Sequence, residues 1–72
     1  MGELEDATEA YLLQGVADAT DRKLPCPPLT FTVLGKFAVK GWIQNVGAGV
    51  DSFVITEAGR QALANWKTRN QR

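Results

Sequence analysis

Thr32, Lys36 and Lys40 recur at every fourth position near the middle of the chain. On a helix, that spacing sets a hydroxyl and two ammonium groups on one face. Such a face can meet base edges and phosphates in a nucleic-acid groove. Arg22, Lys23, Arg60, Lys67 and Arg69 are further cations able to neutralise phosphate, with Arg72 beyond them. The same residue types also make an ordinary solvated helix face, and that reading stands beside the first. A second group has the opposite sign. Glu3, Glu5, Asp6 and Glu9 crowd the first nine residues, an arm that repels duplex DNA and would steer association with a basic protein.

Residues able to carry catalysis are scarce. The chain has one cysteine, Cys26, and no histidine. A disulfide framework within one chain, a Cys/His zinc site and a Ser-His-Asp or Cys-His arrangement are therefore excluded. Cys26 has no base near it in sequence to lower its pKa, so it is read as structural. Gly47–Ala48–Gly49 lacks the strand–loop–helix setting and the lysine of a phosphate-binding loop. No carboxylate pair stands out for acid–base work. The expectation is a protein that is not an enzyme and takes no cofactor or metal.

The 72 residues carry no net charge, but the charge is split. Residues 1–21 hold six carboxylates and no base, whereas residues 22–72 hold all eight Lys and Arg against Asp51 and Glu57. Either the basic part faces an anionic partner, or the two parts attract each other within one fold. MGELED is acidic with no apolar run, unlike a secretory signal. Asp6 stands where N-myristoylation wants Ser or Thr, and no stretch approaches the ~20 apolar residues of a membrane span. The single thiol fits a reducing compartment. A cytoplasmic domain, in a bacterium or an infected bacterial host, is expected.

A chain of this length forms one domain, burying about 60% of its unfolded surface. Asp6 and Glu9 have capping-box spacing ahead of Ala10, Leu13, Val16 and Ala17, which predicts a helix over 7–21 with Leu12 on its flank. Pro25–Cys26–Pro27–Pro28 makes a rigid connector. The next helix is expected over 30–40. Thr30 or Thr32 would be its N-cap, Phe31, Leu34, Phe37 and Ala38 its inner side, and Gly41 its left-handed stop. Strands at 42–45 and 52–55 flank a glycine-bearing loop, Val46 to Asp51, and read as an antiparallel hairpin. Thr56 ends the second strand and caps a last helix over 57–67, with Ala62, Leu63 and Trp66 as its buried stripe and Gly59 allowing close approach to a strand. Residues 1–5 and 68–72 are expected to fray. The predicted fold is α+β, with three helices and a two-stranded hairpin. Arg60 lies in the first turn of the last helix, where a cation is mildly unfavourable. Its position suggests an anionic partner: Glu57, Asp51 or an external phosphate.

Gly41–Trp42–Ile43, the glycine-tipped loop and Ile55–Thr56–Glu57–Ala58–Gly59–Arg60 together resemble the winged-helix domains of MarR- and PadR-type bacterial transcription regulators. The resemblance covers about residues 30–66. It implies a truncated helix-turn-helix derivative, with 30–40 in the recognition-helix position and 42–55 as the wing. A further helix normally precedes the recognition helix, but here only Asp21 to Leu29 is available, and it includes the proline connector. The wing tip carries no Lys or Arg. Two functions are carried forward. The first is duplex DNA binding through Thr32, Lys36, Lys40, Arg22, Lys23, Arg60, Lys67 and Arg69. The other is a protein-binding module that modulates RNA polymerase or another transcription protein, as small phage-encoded proteins do, using Glu3, Glu5, Asp6 and Glu9. Trp42 and Trp66 would be its aromatic anchors, if they are not core.

Overall fold

Helix capping and proline placement divide the described residues into five elements. The computed structural model describes Leu4, residues 7–47, Gly49 and residues 52–70. Asp6 as a cap and the outer part of the 46–51 loop lie outside the described residues. The elements are α1 (Ala7–Arg22), α2 (Phe31–Val39), β1 (Ile43–Asn45), β2 (Phe53–Ile55) and α3 (Glu57–Arg69). The fold is α+β, with three helices and one antiparallel hairpin in which Ile43 pairs with Ile55, Gln44 with Val54 and Asn45 with Phe53. No helix among the described residues is long and apolar enough to cross a membrane.

α1 and α2 end in the same way. At α1, Lys23 N–H donates to the Thr20 carbonyl and Leu24 N–H to that of Ala19. At α2, Gly41 N–H donates to Ala38 and Trp42 N–H to Phe37. Both patterns are Schellman turns, which need a left-handed residue just past the cap. Gly41 takes φ +77° without cost, but Lys23 takes φ +59° as a non-glycine residue. At the second turn, the Phe37 and Trp42 rings meet at 5.6 Å, the apolar contact that accompanies this motif. Between the two turns, residues 24–30 form no helix, so α2 follows the connector directly.

α1 lies across β2 and along α3, while α2 packs on β1 and reaches α1 through Lys36 and Glu9. Ala10, Leu13, Val16 and Ala17 of α1 are buried as their spacing predicts, together with Phe37, Trp42, Ile43, Ile55, Ala62 and Leu63. Thr20 joins α1 to the sheet: its hydroxyl donates to the Val16 carbonyl and accepts Ile55 N–H at 3.1 Å. Thr56 caps α3 by accepting Gly59 N–H and also donates to the Gly41 carbonyl. This double role clamps α3 directly to the end of α2. A Cβ built on Gly59 would collide with the Trp42 carbonyl and lie 2.7 Å from Ile55 Cγ1, so the close approach requires glycine. Cys26 is buried in the connector.

Three expectations need correction. Phe31 and Ala38 do not line the inner side of α2. Phe31 is 84% exposed and Ala38 is exposed, while Val33, Leu34 and Phe37 face the core. Six residues along a helix is a turn of roughly 600°, which leaves Phe31 about 120° from Phe37, and the Phe37–Trp42 pair fixes which side wins. Leu4 lies in the core at 1% exposure, although the first five residues were expected to add little to it. Finally, α3 runs on to Arg69 with Asn70 as its C-cap. Arg69 donates to the Leu4 carbonyl at 3.0 Å and lies over the Trp66 ring, and these contacts support the last turn.

Candidate interaction surface

The row Thr32, Lys36, Lys40 does not emerge as one open cationic face. Thr32 is exposed, one residue into a helix capped by Thr30, which accepts Val33 N–H at 3.2 Å. Lys36 reaches across to α1 and forms an ion pair with Glu9. Lys40 is half-buried, its ammonium 5.2 Å from the centre of the Trp42 ring, within cation–π range. Both lysines thus help to hold α2 against its neighbours.

Among the described residues, the hydrogen-bonded partner of Arg60 is Asp21 and not Glu57. Its guanidinium donates to Asp21 at the end of α1, at 2.6 and 3.4 Å. Asp51 lies outside the described residues, and Glu57 adds only a weaker attraction. The hydrogen bond from Arg60 holds the Asp21 carboxyl below its ordinary value and raises the guanidinium in turn. Both side chains are open to solvent, so the pair is screened and contributes little to stability. It nevertheless places a cation in the first turn of α3 without an external anion. With Glu9–Lys36, it shows the acidic and basic parts of the chain attracting each other inside the fold.

Arg60 and Lys67 line a shallow groove of about 230 Å³ between α1 and α3. Asp21 and Gln14 share it, so its charge is mixed. Arg22 and Lys23 are exposed where α1 ends, and Lys67 is exposed on α3. Arg69 is committed to Leu4 and Trp66. Of the acidic set, Glu9 is bound to Lys36, while Glu3, Glu5 and Asp6 lie outside the described residues. Trp42 is core at 2% exposure, and Trp66 is half-buried at the edge of the core cluster. Among the described residues, no group of three His, Cys, Asp or Glu side chains could hold a metal ion.

The surface that sequence reasoning missed is the outer side of α2. Phe31, Thr32, Gly35, Ala38 and Val39 are all exposed, with Val39 at 87%. The signal available in sequence was the density of apolar residues in this helix, six in nine, more than one buried stripe can use. No family model, curated protein or solved structure matches this chain.

Proposed function

We propose that the chain is a protein-binding module, of winged-helix-like build, that docks on a protein of the transcription apparatus such as RNA polymerase through the outer side of α2. The carrying observation is that the most exposed face of α2 is apolar, not cationic: Phe31 and Val39 stand open to solvent. Lys36 and Lys40, meanwhile, are engaged with Glu9 and Trp42. Exposed aromatic side chains such as Phe31 are enriched at protein interfaces, and the apolar Val39 extends the uncharged patch beside it. The winged-helix-like build and the link to transcription rest on the Gly41–Trp42–Ile43 and Thr56–Arg60 runs and on the order of helix and hairpin.

The test is equilibrium binding of the purified chain to bacterial RNA polymerase, with Phe31→Ser/Val39→Ser beside the native sequence. Loss of binding in the double variant, with its helix content kept, is the expected outcome. Binding that ignores both substitutions removes α2 as the docking face.

Duplex DNA remains the second reading, favoured by the exposure of Arg22, Lys23 and Lys67. It predicts salt-sensitive binding to random duplex, at least as tight as the 10⁻⁴–10⁻⁶ M typical of non-specific contacts. Neutralising Arg22 and Lys23 should then flatten the slope of log K against log salt by about 0.9 per lost contact.

A further inference from the structure

A recess opens on the outer side of α1, away from the docking face of α2. Tyr11, Leu12, Gln14, Gly15, Asp18 and Pro27 enclose about 220 Å³ there. Tyr11, Gly15 and Asp18 follow one another at helical spacing, on the side of α1 opposite the buried Leu13, Val16 and Ala17. Gly15 is the low point of that row, and a Cβ built on it would lie 3.6 Å from Pro27 Cγ of the connector. Tyr11 stands open to solvent at 77% exposure. Asp18 tilts back over the preceding turn, as helical side chains do.

The polar groups of this recess are acceptors short of donors. Gln14 Nε2 donates to Asp18 Oδ1 at 3.1 Å. That bond fixes the amide, and its oxygen, Gln14 Oε1, is buried with no hydrogen-bond partner among the described residues. A buried acceptor without a donor is destabilising. Asp18 enters no ion pair among the described residues, and its carboxylate keeps lone pairs to spare. No Lys or Arg lines the recess. Charge complementarity therefore selects a cation that carries several N–H donors. The volume falls below the roughly 300–1,000 Å³ of sites that enclose a drug-sized ligand, so it suits a single side chain.

We infer that the recess takes one arginine side chain of a protein partner. The guanidinium bonds to the Asp18 carboxylate and to the Gln14 amide oxygen, while the methylenes lie over Gly15 between Leu12 and Pro27. Tyr11 and Asp18 are about 10.5 Å apart along the helix axis, a span for a long unbranched side chain and the backbone that carries it. A guanidinium presents five donors in a planar fork and stacks on aromatic rings, so it suits these acceptors and Tyr11 better than an ammonium does. A free amino acid would bring a carboxylate that meets no cation in the recess, so the arginine belongs to a polypeptide. The site is on a different helix from the α2 face and does not depend on the reading of that face.

The test is NMR titration of the native chain with N-acetyl-arginine amide, beside the matching citrulline and lysine amides and free arginine. The arginine probe should shift the signals of Tyr11, Leu12, Gly15, Asp18 and the Gln14 side-chain amide, with a dissociation constant on the order of 10 mM. The citrulline probe has nearly the same shape without the charge, and both it and the lysine probe should bind at least about fivefold more weakly. Asp18→Asn keeps an acceptor for Gln14, so circular dichroism should show an unchanged fold while arginine binding weakens by a similar factor. Absence of shifts with the arginine probe overturns the inference, as does equal binding of the citrulline or lysine probe. Unchanged binding in Asp18→Asn overturns it too, and tighter binding of free arginine would assign the recess to a small molecule instead. The α2 reading is tested apart from this, because Phe31→Ser/Val39→Ser leaves every residue of the recess in place.

Discussion

α2 holds six apolar side chains among nine residues and buries only Phe37, whereas α3 holds five among thirteen and buries Ala62 and Leu63, with Gly59 pressed into the hairpin. The more polar helix is the better packed one. The difference comes from how each is clamped. The cap of α3 is bonded both within the helix and to the Gly41 carbonyl, and Gly59 lets its first turn sit on Trp42. α2 has a proline connector on one side and a Schellman turn on the other, and its rotation is set by Phe37 on Trp42, with Val33 and Leu34 against the core and Lys36 bonded to Glu9. Everything on the far side of these contacts is left outside. Apolar content therefore tells how much a helix could bury, while the anchoring bonds at its ends determine how much it does.

The contrast breaks most directly at Phe37, the fully buried anchor of α2. Phe37→Ala should cost about 3–5 kcal/mol, measured by denaturant unfolding, and amide exchange should open in α2 before α1 and α3. A cost near that of a surface substitution would show that α2 is held by something other than this ring. On the α3 side, Gly59→Ala drives a methyl into the Trp42 carbonyl and Ile55 and should cost about 1–3 kcal/mol as overpacking. A neutral result would mean that α3 can slide off the hairpin.

Lys23 offers a change of opposite sign. Its left-handed backbone costs about 1–2 kcal/mol for a residue with a side chain, so Lys23→Gly should raise the thermal midpoint while α1 keeps its length by circular dichroism. A drop would reveal a contact of the ammonium that outweighs the strain. If the same variant also weakens DNA association, the second functional reading gains.

The Asp21–Arg60 pair should show a smaller, pH-dependent effect. Asp21 titrates below its ordinary 3.8 in the folded chain because Arg60 donates to it. Its contribution is therefore complete above the unfolded value and disappears as pH falls through the folded one. The difference in midpoint between the native chain and Asp21→Asn should be small near neutral pH, shrink with added salt, begin to fall off near about pH 4 and vanish only once the pH is below the lowered value of the folded chain. A difference that persists in acid would assign Asp21 a role beyond this pair.

The smallest effect is expected where α2 faces out. Phe31→Ser/Val39→Ser should change stability by less than about 0.5 kcal/mol, as for surface positions, in sharp contrast with Phe37→Ala in the same helix. A loss of several kcal/mol would place Phe31 in the core and remove the proposed docking face.

By itself the sequence determined the local structure. The heptad-like run Ala10–Leu13–Val16–Ala17, the cap at Thr56, the stop at Gly41 and the hairpin around the glycine loop each depend on residues close along the chain, whose conformational preferences act over one or two turns. The close approach at Gly59 was legible for the same reason, because a strand ending at Thr56 leaves the next helix no room for a side chain there. Tertiary structure alone decided the pairings across the fold. Arg60 could have met any of several carboxylates, and only the packing of α1 along α3 selected Asp21. Leu4 had no periodic partner near it, yet the core closed over it. The rotation of α2 was also undetermined locally, since six apolar residues allow more than one inner side. Phe37 on Trp42, with Val33 and Leu34 against the core and Lys36 on Glu9, fixed it and turned Phe31 and Val39 to solvent.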